Sequence, residues 1–174
     1  GLSNLEELDL SKNKIFHIET NAFIQNSKLK ILNLETNKIS KVTYSLLQNL
    51  KSLSELNLSS NQIVSIDEYS FQDMHSLKKL DLKYNPIENL NQNSLTGLKN
   101  LEEIDLFKIN ILSIKPDAFN VLNSLKSFHL FYHDNIDYEN LFCSRIKSAY
   151  YYLSGKRTRL EEISNFHDLI YFKN

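Results

Sequence analysis

The side chains of this 174-residue chain that are able to do chemistry are mainly carboxylates, and they recur at fixed intervals. Glu7, Glu55 and Glu103 fall in one series, and Asp9, Asp81 and Asp105 fall in a second, two residues further on. Set side by side, such groups attract a basic ligand, and Arg is the best partner because it forms paired charge-assisted hydrogen bonds. Simple solvation accounts for any one of them equally well. A second set is aromatic: Tyr84, Phe107, Phe131 and Tyr132 gather late in the chain, with His129 among them. Exposed aromatics are anchors of protein interfaces; the alternative is that the segment after residue 137 folds over them.

Other chemistry is sparsely represented. His129 and His133 have the i, i+4 spacing of a helical metal site, but they do not share a helix, so no metal site is expected. Cys143 is the single cysteine, which excludes a disulfide framework and a zinc knuckle within these residues. No Gly-rich phosphate loop occurs, and no nucleophile and base are placed together as a hydrolase needs. No enzyme activity and no cofactor are therefore expected. Asn57-Leu58-Ser59 is a glycosylation sequon; a glycan at Asn57 would block the surface on which it stands, which argues against its occupancy.

What must position these residues is an internal repeat. Leu5, Leu29, Leu53, Leu77, Leu101 and Leu125 are spaced by 24 residues, and apolar residues follow each at three and at five places on. Asn13, Asn37, Asn61 and Asn85 come eight after the first leucine. Ile15, Ile39, Ile63, Ile87 and Ile111 keep step, and Phe23, Leu47, Phe71, Leu95 and Phe119 complete the unit. In each L-x-L segment alternate residues point the same way, the period of a strand. A 24-residue unit is too short to bury its own apolar side, but stacking the units buries a continuous core. Asn at the turn is expected to satisfy backbone groups that an inward-turning chain cannot leave to water.

The pattern LxxLxLxxNxIxxIxxxxF over residues 5 to about 130 resembles the leucine-rich repeat, in its 24-residue extracellular class. The resemblance implies an α/β repeat fold: a horseshoe-shaped solenoid with a parallel sheet on its concave face, where ligands bind. On that reading the leucines face inward. Glu7, Asp9, Glu55, Asp81, Glu103, Asp105, Tyr84, Phe107, His129, Phe131 and Tyr132 lie on the concave side as candidate ligand contacts.

The repeat decays late. Ile109 takes the Asn position in the fifth unit and His133 in the sixth. Residues 1–136 are read as about six repeats and residues 137–174 as an irregular, helical, cap-like or hinge-like segment. The spacing of Leu141, Phe142, Ile146, Tyr150 and Leu153 predicts a helix over 137–153, and Ser154 to Arg159 is expected to be a basic turn or loop.

Composition narrows the function. The net charge is -1, with a mildly acidic body and a mildly basic tail, which argues against a nucleic-acid binder. No apolar run reaches the roughly 18 residues of a membrane span, and the start has no signal-peptide pattern, so a fragment of a longer, tethered chain is expected. Ile104-Asp-Leu-Phe-Lys-Ile-Asn-Ile111, Phe142-Cys143-Ser144 and Glu162 to Leu169 resemble the end of the repeats in leucine-rich-repeat G-protein-coupled receptors of the relaxin-receptor type, apart from a second cysteine expected there and missing here. That resemblance implies a basic peptide ligand held by concave Glu and Asp. The expectation is a non-catalytic recognition module of an extracellular or cell-surface receptor with a protein or peptide partner. The alternatives are an adhesion or Toll-like innate-immune receptor and a structural scaffold.

Overall fold

The computed structural model describes residues 2–110, 113–114, 116–130, 150–153 and 156–159. Its main element is a sheet with one short strand per repeat: β1 (Glu7–Asp9), β2 (Ile31–Asn33), β4 (Glu55–Asn57), β6 (Lys79–Asp81), β8 (Glu103–Leu106) and β10 (Ser127–Leu130), each parallel to the next. The register is the repeat itself. Glu7 pairs with Ile31, Ile31 with Glu55, Glu55 with Lys79, Lys79 with Glu103, and Glu103 with Ser127. Every 24-residue column of the sequence is thus a row of neighbours roughly 4.8 Å apart. The chain winds as a solenoid with a parallel sheet on one side, the leucine-rich-repeat architecture expected from the spacing.

The repeated apolar positions form one core. Leu29, Leu53, Leu77 and Leu101 are fully buried, as are Leu34, Leu58, Leu82 and Leu106 and the Ile39, Ile63 and Ile87 column. Phe71, Leu95 and Phe119 fill the far side of the coil, where Phe119 meets Phe128 edge-on with ring centroids 5.3 Å apart. In the first repeat Leu5, Leu8, Leu10, Ile15 and Ile18 pack against this core while keeping part of their surface in water.

Three buried asparagines tie consecutive turns together. Asn61 donates through Nδ2 to the carbonyl of Leu34 in the preceding repeat (2.9 Å) and to that of Leu58 in its own (3.1 Å), and its Oδ1 accepts from the Ile39 N–H (3.0 Å). Asn37 and Asn85 repeat this set on Leu10, Leu34 and Ile15, and on Leu58, Leu82 and Ile63. Backbone groups at the tight inward turn thereby find partners without water. In the fifth repeat Ile109 occupies the position, buried and apolar.

Behind the sheet, the apolar Val42, Ile66, Leu90 and Ile114 lie in short strands that the repeat pattern alone does not announce. β3 (Lys41–Val42) pairs with β5 (Ser65–Ile66), and β7 (Asn89–Leu90) with β9 (Ser113–Ile114). The connections on the convex side are turns, one helical turn α1 (Tyr44–Leu47) whose N-cap Thr43 accepts from the Leu46 N–H (3.2 Å), and a 3₁₀ turn at Pro116–Phe119. Gly97 has a φ of +105°, and a Cβ there would run into the Phe71 carbonyl, so no other residue fits.

Past the sixth repeat, the structure differs from expectation where it is described. Residues 137–149 and 160–174 lie outside the described residues, Cys143 and His133 with them. The end of the expected helix, Tyr150–Leu153, is instead a strand, β11, parallel to β10. The expected basic loop is largely a strand too, β12 (Lys156–Arg159), antiparallel to β11. The concave sheet is therefore eight-stranded and ends in a hairpin. A Tyr-Tyr-Tyr-Leu run favours a pleated surface over a helix, and the edge of β10 offers it a row of backbone partners.

Candidate ligand-binding face

Residues between the second and third leucines of each repeat point out of the concave sheet, and the structure gives them a task within the fold. Oδ1 of Asp9, Asn33, Asn57, Asp81 and Asp105 each accepts from the backbone N–H two residues on: Ser11 (2.8 Å), Glu35 (3.0 Å), Ser59 (3.0 Å), Lys83 (3.1 Å) and Phe107 (2.9 Å). This side-chain bond ends the strand as an Asx turn. The next residue then takes a left-handed conformation in the first five repeats, with φ near +55° at Lys12, Thr36, Ser60, Tyr84 and Lys108. Part of the acidic pattern is therefore strand-end chemistry, for which Asp and Asn serve alike.

The glutamate series is different. The side chains of Glu7 and Glu55 make no hydrogen bond or ion pair among the described residues, and the Glu103 side chain has only Lys79 within reach, Nζ to Oε2 4.0 Å. Lys79 stands between Glu55 and Glu103 in the register. The expected stripe is therefore not continuous: Ile31 and Lys79 interrupt the glutamates, and Asn33 and Asn57 separate Asp9 from Asp81.

Asp81 and Asp105 are register neighbours and differ in their surroundings. Asp81 pairs with Lys83 (Oδ2 to Nζ, 2.8 Å). Burial pushes its carboxyl above the usual carboxylate range, outweighing the pull of Lys83. Lys83 is held above its ordinary value, chiefly by its hydrogen bond to Asp81 and then by the fields of Asp81, Asp105 and Glu35. Asp9, fully exposed, is shifted down by the Ser11 N–H instead. Lys83 lies two residues after Asp81, on the same face of a period-2 segment, so this pairing was available from the spacing and was missed.

Asp105 faces His129 (Oδ2 to Nδ1, 3.3 Å), and His129 Nε2 lies 3.1 Å from Ser127 Oγ. The series Asp105–His129–Ser127 has the order of an acyl-transfer triad. Catalysis would also need donors aimed at a developing oxyanion, and the Ser127 N–H is committed to the Glu102 carbonyl at 3.0 Å. The arrangement holds the imidazole in place at the wall of the groove. Among the described residues no group of three His, Cys, Asp or Glu side chains is arranged to hold a metal ion, and His133 lies outside them.

These side chains converge on a groove of about 370 Å³ that crosses the strands from β2 to β10, with Ile31, Glu55, Lys79, Glu103, Asp105 and His129 on its walls. Asp81 and Asn57 also line it, whereas Glu7 and Asp9 lie beyond its end on β1. Asn57 is half-buried, and its Oδ1 also accepts from the Ser59 hydroxyl (2.7 Å), while Ser59 itself is fully buried. The sequon residues thus have internal partners. Tyr84 and Phe107 are not strand residues as expected but stand just past the ends of β6 and β8, because the Asx turns carry the chain off the sheet there. Their rings meet edge-on at 5.8 Å, with Lys108 Nζ 5.8 and 5.7 Å from the two centroids. Tyr84 is 47% exposed and Phe107 half-buried. Phe131 and Tyr132 lie outside the described residues.

The family model for the leucine rich repeat matches residues 3–63 and 52–110. Among solved structures, the chain is similar to one in the structure of the Toll–Spatzle complex, titled a molecular hub in Drosophila development and innate immunity. The identity is 25% and the TM-score 0.60, over 68% of this chain. The chain spans 16% of the length of that neighbour. No curated protein matches the chain. Among the described residues no helix is long and apolar enough to cross a membrane.

Proposed function

From a chain that belongs to the leucine-rich-repeat family, we propose a non-catalytic recognition module: part of an extracellular or cell-surface receptor whose concave face binds a basic segment of a protein or peptide. The observation that carries this reading is the groove and the balance of charge along it. Glu55, Glu103, Asp81 and Asp105 line it against Lys79 alone among the lining lysines. The Glu55 side chain forms no ion pair among the described residues, although Lys79 is its neighbour in the register. A groove in which one sign of charge predominates concentrates the opposite sign in a ligand and speeds its capture.

The test separates recognition from folding. Glu55→Gln with Glu103→Gln removes two charges that the fold does not use. Asp105→Asn removes a third while keeping Oδ1 for the Phe107 N–H. Titrated with a nona-arginine peptide in low salt, the triple variant is expected to bind about fivefold to a hundredfold more weakly, at a few tenths to one kcal/mol per exposed charge pair, with its melting curve unchanged. Equal affinity in the triple variant refutes the concave basic-ligand reading.

A second reading has its own support. Similarity to a chain in the Toll–Spatzle complex favours a Toll-like receptor over the seven-helix receptor that the C-terminal resemblance implies. The two readings share the concave module and differ in the chain downstream of it. One apolar run of about 20 residues in the full transcript supports the Toll-like receptor, and seven support the seven-helix receptor.

A further inference from the structure

The stretch that leads into each concave strand forms one rim of the solenoid, and its charge is unlike the rest of the body. Lys28, Lys30, Lys51, Lys78, Lys99 and Lys126 lie on it, all exposed, against two carboxylates, Glu6 and Glu102. The rim is stacked repeat on repeat. Lys28 Nζ donates to Asn4 Oδ1 (2.8 Å), Ser54 Oγ to the Lys30 carbonyl (2.9 Å), Asn100 Nδ2 to the His75 carbonyl (2.7 Å) and Ser124 Oγ to the Lys99 carbonyl (3.1 Å). Lysines from successive turns therefore form a line rather than a scatter. Glu6 is matched by Lys30 (2.8 Å), and Glu102 by Lys126 (2.6 Å) and Lys78 (3.6 Å). Those lysines hold both carboxyls below the usual range. Lys51 and Lys99 have no carboxylate partner among the described residues. They sit two turns apart, about 10 Å along the stack.

We propose that this rim binds a linear sulfated polysaccharide, lying along the stack with its sulfates against the lysine row. The surroundings of the row argue against a stacked single strand and an inserted bilayer. Residues 26–30, 50–54, 74–78, 98–102 and 122–126 contain no Phe, Tyr or Trp on which a base could stack. Their apolar members, Leu29, Leu53, Met74, Leu77, Leu98, Leu101 and Leu125 among them, are buried in the core, and Leu2 of the first turn is the one exposed leucine among the described rim residues, too little apolar surface to enter a bilayer. What remains is a row of flexible cations that reads charge and spacing. The site is separate from the concave groove and stands or falls independently of it.

The experiment uses the full-length protein on immobilised heparin, eluted with a salt gradient. Single-stranded oligo-dT and vesicles with 30% phosphatidylserine serve as competing anions. Lys51→Ala with Lys99→Ala is compared with Lys14→Ala with Lys38→Ala, which removes the same charge from the opposite rim. The expected result is retention of the parent and of the Lys14/Lys38 variant, and earlier elution of the Lys51/Lys99 variant. Its slope of log affinity against log salt should be shallower by about two, one released counterion per lysine. Desulfated heparin should retain none of the three. No retention of the parent, equal loss in both variants, or tighter binding of oligo-dT or vesicles than of heparin each overturns the proposal. Glu55→Gln should leave the elution unchanged, which keeps this result apart from failure of the groove.

Discussion

The first four repeats each carry two Asx positions, four residues apart, and the two obey different rules. One is the buried ladder of Asn37, Asn61 and Asn85; the other is the column of Asp9, which is exposed, and of Asn33, Asn57, Asp81 and Asp105, which are half-exposed. The ladder uses both ends of the amide. Nδ2 donates to carbonyls of two repeats, and Oδ1 accepts from a third segment. A carboxylate has no donor and cannot replace it. The column uses only one oxygen, as acceptor for the N–H two residues on. Asp and Asn are equivalent for that task, and both occur. What the fold leaves undetermined at the column is the charge, and charge is what a ligand in the groove would meet.

The largest test of this contrast is one substitution made in both places. Asn61→Asp removes the bonds to the Leu34 and Leu58 carbonyls and leaves a buried carboxylate facing those oxygens. The expected loss is about 3–5 kcal/mol, the cost of a buried, unpaired charge, unless the carboxyl takes up a proton. Asn57→Asp keeps the Ser59 N–H bond on half-exposed surface and is expected to change stability by about 0.5 kcal/mol or less. Urea melts of the two variants measure the difference. A loss below roughly 1 kcal/mol at Asn61 breaks the distinction between ladder and column.

The buried half of this contrast was legible in the sequence, and the exposed half only in part. Leu, Ile and Asn at 24-residue intervals report burial, because burial leaves few residue types acceptable at a position; hence the core and the ladder could be read from spacing, and the parallel sheet from the family resemblance that the spacing carries. The column residues were equally visible, but their Asx bonds were not, since an Asp that ends a strand and an Asp that awaits a ligand look alike in sequence. Tyr84 was placed on a strand for the same reason: a run of alternating residues does not show where an Asx turn lifts the chain off the sheet. The strands Tyr150–Leu153 and Lys156–Arg159 were missed for another reason. Their pairing comes from the open edge of β10, not from a repeat of their own. The glutamates Glu7 and Glu55, which the fold does not employ, are the part of the candidate site that the sequence singled out and geometry gave no internal use.

A middle-sized effect tests the column itself. Asn57→Ala removes the acceptor for both the Ser59 N–H and its hydroxyl. Ser59 is fully buried, so water cannot replace the lost partner at the hydroxyl. The expected loss is about 1–2 kcal/mol, like the removal of a helix cap. Because Asn57→Asp keeps the oxygen, the pair Asn57→Ala and Asn57→Asp separates the bond from the amide. Equal stability of the alanine and aspartate variants shows that the Asx bond contributes nothing.

The smallest effect is also the most diagnostic, because it asks what charge costs where the fold does not need it. Asp81→Asn keeps the oxygen for the Lys83 N–H and removes a carboxyl whose pKa burial has raised. An acid with a raised folded pKa is still protonated in the folded chain when the unfolded chain has already released its proton, so stability falls as pH climbs from the ordinary carboxylate range through the raised folded value. The parent should therefore show that decline in mildly acidic solution, and Asp81→Asn should flatten it. Against this gain stands the half-exposed ion pair with Lys83, 2.8 Å long, which the variant loses; exposed pairs contribute about 0–1 kcal/mol. The two terms oppose each other and are similar in size. At neutral pH the variant should lie within about 0.5 kcal/mol of the parent, while the slope against pH changes. A steeper acid-range decline in Asp81→Asn than in the parent means that Lys83, not burial, governs this carboxylate. Asp81 would then belong with the residues the fold requires.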